Sequence, residues 1–175
     1  YYVINRAKPD EIPPVAGHDY TYDYIKLVND DVMSVLNEQI ICFPSLISTL
    51  AGKEDYAYLP GKWTVKEVVQ HTLDTERILS YRLLAFARLE KQPLPGFEQS
   101  EYALAVNVEG RTLPNLIEEF TCLRKANMFL FNALSVEELE RTGVASGIVR
   151  SVRKLLFTIA GHLEHHRNIL REKYS

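Results

Sequence analysis

Near its C-terminus the chain carries Gly161-His162-Leu163-Glu164-His165-His166. Side chains four apart on a helix share a face, with Cβ atoms roughly 5–6 Å apart. Two imidazoles so placed can both reach one metal ion at roughly 2.0–2.1 Å. Three-apart spacing also works, so His165 competes with His166 as the partner of His162. The apolar residues nearby decide between them. Val152, Leu156, Ile159, Leu163 and Leu170 alternate in steps of four and three and mark a buried face. His166 falls in that series and His162 lies on its flank one turn earlier, whereas His165 points to the far side. The inward pair is therefore His162 and His166. The other reading of such a pair is two core imidazoles that are simply hydrogen-bonded.

Two ligands hold a catalytic ion poorly, because such sites usually combine three protein ligands with an open position. The remaining histidines are His18, in a Pro-rich arm, and His71. His71 lies beside a second stripe, Val68, Thr72, Thr75, Leu79 and Phe86, in a flank position like that of His162. Two such helices packed side by side would bring His71, His162 and His166 to one point. Thr72, Thr75 and Arg82 occupy places where a plain bundle has Leu or Ala. Burying them without partners is costly. They belong either to an exposed helix edge or to the wall of a water-filled metal cavity.

The elements that must position these residues are helices. Residues 1–18, with Pro9, Pro13, Pro14 and Gly17, read as an irregular arm, and Tyr20 to Val28 as a short extended or helical lead-in. Asn29-Asp30-Asp31 offers N-caps for a helix to about Leu50. Thr64-Val65-Lys66-Glu67 fits a capping box, with Trp63 and Val68 placed as a hydrophobic staple, so a helix runs from Val65 to about Leu89. Residues 91–111 form the longest connection, with a helical turn expected over Ser100 to Val106. Thr112 and Pro114 open a third long helix to about Leu134. Ser135 caps a short helix ending near Gly143, and Ser151 caps the last long one, to about Tyr174. No period-two strand stands out. The reading is all-α: one domain over residues 1–175, a four-helix up-and-down bundle with short extra helices.

Composition excludes several classes. Apolar residues at 46% and charged residues at 25% suit an ordinary globular chain. A net charge of -3 gives no global drive toward nucleic acid. No apolar run approaches the ~18 residues of a membrane span. Cys42 and Cys122 form no CxxC and read as reduced thiols of a cytoplasmic protein. There is no HExxH, Glu-x-x-His, P-loop or GxGxxG, which removes gluzincin, ferritin-like, nucleotide-phosphate and dinucleotide sites.

The residues that remain form a pattern. Lys62-Trp63-Thr64-Val65-Lys66-Glu67-Val68-Val69-Gln70-His71, then Asp74-Thr75-Glu76-Arg77, the Leu94-Pro95-Gly96-Phe97 loop, and Ile159-Ala160-Gly161-His162-Leu163-Glu164-His165-His166 together resemble the DinB/YfiT-like family of metal-binding four-helix bundles. The resemblance spans about residues 20–174. It implies a mononuclear site on His71, His162 and His166, with water at the open positions, in a bundle that is often a homodimer. Some members are thiol transferases or isomerases using a low-molecular-weight thiol, and others are metal-dependent hydrolases of unassigned substrate.

Three neutral imidazoles leave a divalent ion its full charge, which acidifies a bound water or thiol. The resemblance implies zinc or nickel first, with iron, manganese or copper as alternatives; histidine donors by themselves suit zinc, nickel, copper or iron alike. Asp74, one turn after His71, could orient that ring or act as a base, or be a solvated carboxylate. Thr75, Glu76, Arg77 and Arg82 would stand around the site, with a structural ion pair equally open for Glu76 and Arg77. Tyr81 and Tyr102 are further hydroxyl donors. The leading expectation is a metal-dependent enzyme, a hydrolase or thiol S-transferase acting on a small molecule. The alternative is a non-catalytic, metal-stabilised bundle that binds a partner or serves a stress response. The basic last helix, with Arg150, Arg153, Lys154, Arg167, Arg171 and Lys173, fits a dipole complement and solvated face better than a nucleic-acid surface.

Overall fold

The computed structural model describes residues 21–28 and 31–175. The arm at 1–18 with His18, and the cap candidates Asn29 and Asp30, lie outside the described residues. The elements in chain order are α1 (Thr21–Ile25), α2 (Val32–Ser48), α3 (Val65–Ala87), α4 (Gln99–Ala105), α5 (Leu113–Ala133), α6 (Val136–Glu140), β1 (Thr142–Ala145), β2 (Ile148–Ser151) and α7 (Val152–Ile169), which ends in a π-helical turn, Leu170–Tyr174.

Local chemistry starts the four long helices and α6 where the sequence places a cap. The Asp31 carboxylate accepts from the Met33 and Ser34 amides. Thr64 and Ser135 close full capping boxes with Glu67 and Glu138. Thr112 and Ser151 each accept an amide of the first turn. These bonds satisfy donors that no helix can satisfy internally, typically worth about 1 kcal/mol apiece. The four long helices α2, α3, α5 and α7 form the expected four-helix bundle, but not in the alternating up-and-down order read from the sequence. No helix among the described residues is long and apolar enough to cross a membrane.

Helix directions follow from which ends share a core. The start of α2 packs with the end of α3, the end of α5 and the start of α7 around Leu36, Leu83, Phe131 and Leu156. The other ends meet around Phe43, Val69, Phe120 and Leu163. Hence α2 and α7 run one way and α3 and α5 the other, so the chain travels up, down, down, up. The parallel pair α3 and α5 requires residues 88–112 to return the whole length of the bundle, which is why this connection is long.

Between the two apolar clusters lies a polar layer. Arg124 of α5, fully buried, donates from Nε and Nη2 to Glu76 of α3 at 2.8 and 2.9 Å. Its Nη1 donates to Gln39 Oε1 at 2.9 Å and to the Leu36 carbonyl of α2. Gln39 in turn donates to the Ala160 carbonyl of α7 at 2.9 Å. Asn127 adds a bond to Glu76. All four long helices are tied by this one network.

The structure differs from the sequence reading at 142–151. The short helix stops at Glu140 rather than near Gly143, and β1 and β2 form an antiparallel hairpin with Ala145 opposite Ile148. Ser146 and Gly147, with φ of 55° and 73°, make the two-residue turn that suits strand twist. The hairpin lies where it does because Gly143 sits on the Phe86 ring, a place closed to any Cβ. It also pins the start of the long connection, through Leu94 N–H to Val144 O and Ser146 N–H to Leu94 O.

Arg124→Ala should destabilise the protein by about 3–5 kcal/mol, because it leaves the Glu76 carboxylate buried with its main partner gone. Urea unfolding of the variant should show a lower midpoint with an unchanged m-value.

Candidate metal centre

His71 comes from the second turn of α3, and His162 and His166 from successive turns of α7. The two helices are antiparallel neighbours, and the three rings meet beside the polar layer. His71, His162 and His166 are 5%, 5% and 8% exposed. Each offers a ring nitrogen, and these nitrogens all lie within 4.8 Å of one another. Ring centroids are 4.6 to 5.0 Å apart, with the rings crossing edge to face. His71 Nε2 and His162 Nε2 are 3.1 Å apart. Two nitrogens on one tetrahedral zinc ion stand roughly 3.3 Å apart, so this edge is close to its coordinating length already.

Their surroundings fix the rings. Trp63 packs on His71 at 4.8 Å between centroids, and Tyr24 of α1 meets His162 edge-on at 5.3 Å. The Thr75 hydroxyl stands 3.5 Å from His71 Nδ1. Tyr24 can approach because residue 161 is glycine; a Cβ there would collide with the Tyr24 carbonyl. His166 also lines a cleft of about 280 Å³ with Tyr58, Lys62, Trp63, Ser100 and Tyr174. Tyr174 holds the cleft wall by donating to the Trp63 carbonyl at 2.6 Å.

Burial removes water from all three imidazoles and is the main reason they stay neutral. It pushes His71 down to about 4, with His165 adding like-charge repulsion. It pushes His166 down to about 2, with His71 and His165 adding to the effect. His162 is held well below its ordinary value by burial and then by His166. Each ring therefore keeps a lone pair at neutral pH, and the buried Nδ1 of His166 has no hydrogen-bond partner among the described residues. Neutral nitrogen donors, near-coordinating spacing and a buried unpartnered nitrogen fit one divalent ion held by these three residues.

The other residues singled out in the sequence fall in different places. His165 is half-buried at the bundle edge, against Tyr24 and His166. Asp74 accepts from Gln70 Nε2 at 2.9 Å, so its partner is Gln70 rather than His71. Thr75 is beside the triad. Glu76 belongs to the four-helix network, and Arg77 pairs with Glu119 at 2.6 Å. Arg82 turns away toward the Pro95 carbonyl and Ser146. Tyr24 and Trp63 touch the triad, yet the sequence marks Trp63 only as a helix staple and gives Tyr24 no period. The closest signal for Tyr24 is Gly161, a helix-interior glycine next to His162.

The sequence profile of the DinB superfamily matches residues 43–170. The chain belongs to the DinB superfamily. The match covers α3, α5 and α7, and so all three clustered histidines of this DinB member. Its fold is also that of a solved structure, the Bacillus subtilis protein YfiT, described as a probable metal-dependent hydrolase with an unusual four-helix bundle topology. The TM-score is 0.64 at 15% identity, with 93% of this chain and 91% of the YfiT chain covered. No curated protein sequence matches the chain.

Two outcomes follow from this geometry. The folded histidines bind protons only well below the 6.5 of an unfolded chain, so the unfolded state gains protons first as pH falls. Stability of the metal-free protein should be flat above about pH 7 and drop from about 6.5 downward, by about 2 kcal/mol at pH 5 for each of His71 and His166. Urea titrations across pH, with His71→Gln showing a shallower loss, check this. Separately, Gly161→Ala should lift α1 from α7, costing about 1–3 kcal/mol, with faster amide exchange in α1.

Proposed function

We propose that the chain is a metal-dependent enzyme, a hydrolase of small molecules, with one divalent ion held by His71, His162 and His166 in a single-domain bundle. The observation that carries this reading is the set of three buried, neutral imidazoles within 4.8 Å of one another, one of which also faces a cleft. A purely structural ion has no need of an approach from solvent, so the cleft at His166 favours catalysis over a metal that only stabilises the bundle. Three nitrogen donors suit zinc, nickel, copper or iron, and zinc and nickel are the leading candidates.

The ion, when bound, supplies a Lewis acid that stabilises the deprotonated form of a water or a small thiol beside it. The chain's own residues do the rest. Trp63 and Tyr24 hold the His71 and His162 rings at fixed tilt. Thr75 faces the outer nitrogen of His71 and favours one tautomer. Burial keeps water from competing for the donors. Tyr58, Trp63 and Tyr174 give the cleft aromatic walls, and Lys62 places a cation at its edge, a setting for a small substrate with an apolar part and a polar or anionic end. The Asp74 carboxylate is engaged by Gln70. A thiol S-transferase would use the same three ligands and the same cleft. Hydrolytic release without added thiol separates it from the hydrolase.

The test is metal analysis of protein purified without metal resin. Wild type should hold close to one equivalent, and His162→Ala and His71→Ala should lose it while remaining folded. Absence of metal after reconstitution with zinc, nickel and manganese would overturn the proposal.

A further inference from the structure

A second cleft, of about 290 Å³, is lined by α3, the loop at 94–97 and Tyr102 of α4. Its principal residue, Arg82, follows His71 by three turns of α3, about 16 Å along the helix axis. The cleft is therefore separate from the histidines and does not depend on what they bind.

Arg82 is 6% exposed, and an arginine keeps its charge when buried. A buried charge ordinarily has a counter-charge. Arg82 has none among the described residues. Its Nη2 donates to two neutral acceptors, the Pro95 carbonyl at 2.9 Å and Ser146 Oγ at 3.2 Å. The charged neighbour that acts on it is Arg150, of the same sign. Its Nε and Nη1 donors have no acceptor among the described residues, and neither is among the buried side-chain atoms left without a partner. The Nη2 end of the guanidinium is thus spent on the loop, while Arg82 also lines the cleft. The remaining walls are Phe97, over which the Arg82 guanidinium lies at 5.7 Å, with Tyr81, Tyr102, Ile78 and Leu94. Arg77, at the rim, is already paired with Glu119.

A forked cation at the base of an apolar, aromatic pocket matches one ligand chemistry. We propose that this cleft is a binding site for a small monocarboxylate with an aromatic or short aliphatic body, its carboxylate on Arg82 and its body among Phe97, Tyr81 and Tyr102. The volume is at the small end of ligand pockets, which suits a single ring or a short chain. The guanidinium supplies the paired donors that a carboxylate accepts.

The test is an NMR titration of chelator-treated protein, following the ring signals of Phe97 and Tyr102, with phenylacetate, phenylacetamide and inorganic phosphate as probes. Phenylacetate should bind saturably, and phenylacetamide at least about tenfold more weakly, because it lacks the charge. Arg82→Gln should lose phenylacetate binding. Because that change also frees the Pro95 loop, Tyr102→Ala provides an independent check: it leaves the Arg82 bonds in place and should weaken binding several-fold. Equal binding of acid and amide would overturn the proposal in favour of a plain apolar crevice. Binding of phosphate but not phenylacetate, or no saturable shift with any probe, would overturn it as well.

Discussion

The bundle is organised around a charge taken out of water. Arg124 can sit at zero exposure only because Glu76, Gln39 and the Leu36 carbonyl meet its donors. Those partners come from two other helices, and Gln39 reaches a third through Ala160. The pair need not add net stability, since desolvation offsets much of its attraction. What it does is set alignment. A one-turn slip of α5 against α2 or α3 would leave a carboxylate or a guanidinium buried alone, whereas two purely apolar faces tolerate such slips more readily.

That alignment reaches the histidines. Ala160 is two residues before His162, and Glu76 lies just beyond the turn that carries His71 and Thr75. With α3 and α7 held in register from below, the rings of His71 and His162 come within 3.1 Å without strain from any special backbone. Dry surroundings then keep the rings uncharged. The same burial that makes this a good place for a cation makes the empty site sensitive to acid, because protonation is what the interior cannot accommodate.

Much of this was legible in the sequence, and for identifiable reasons. Caps at Thr64, Thr112, Ser135 and Ser151 are local chemistry, so the helix starts could be read directly. The stripe through Leu156, Ile159 and Leu163 separated His166 from His165 because helical period alone determines which side a residue faces. Tertiary partners could not be read this way. Arg124 looks like any surface arginine until α2 and α3 surround it. Asp74 and Arg82 follow His71 on α3, but Asp74 is engaged by Gln70, and Arg82 stands about three turns further along the helix axis, where its side chain goes to the Pro95 loop. The hairpin was missed because its strands are four residues each, too short for alternation to show. The Ser146-Gly147 dipeptide was its one usable signal.

The parallel placement of α3 and α5 has one more consequence. A chain that must climb back the length of a bundle needs a covering segment that no helix contact requires to be of any given sequence. Here that segment supplies Ser100 to one cleft and Pro95, Phe97 and Tyr102 to the other. Substitutions at Phe97, Ser100 or Tyr102 would alter the clefts while the three histidines and the Arg124 network stay in place. The return connection thus carries parts of both clefts that lie outside the four-helix core.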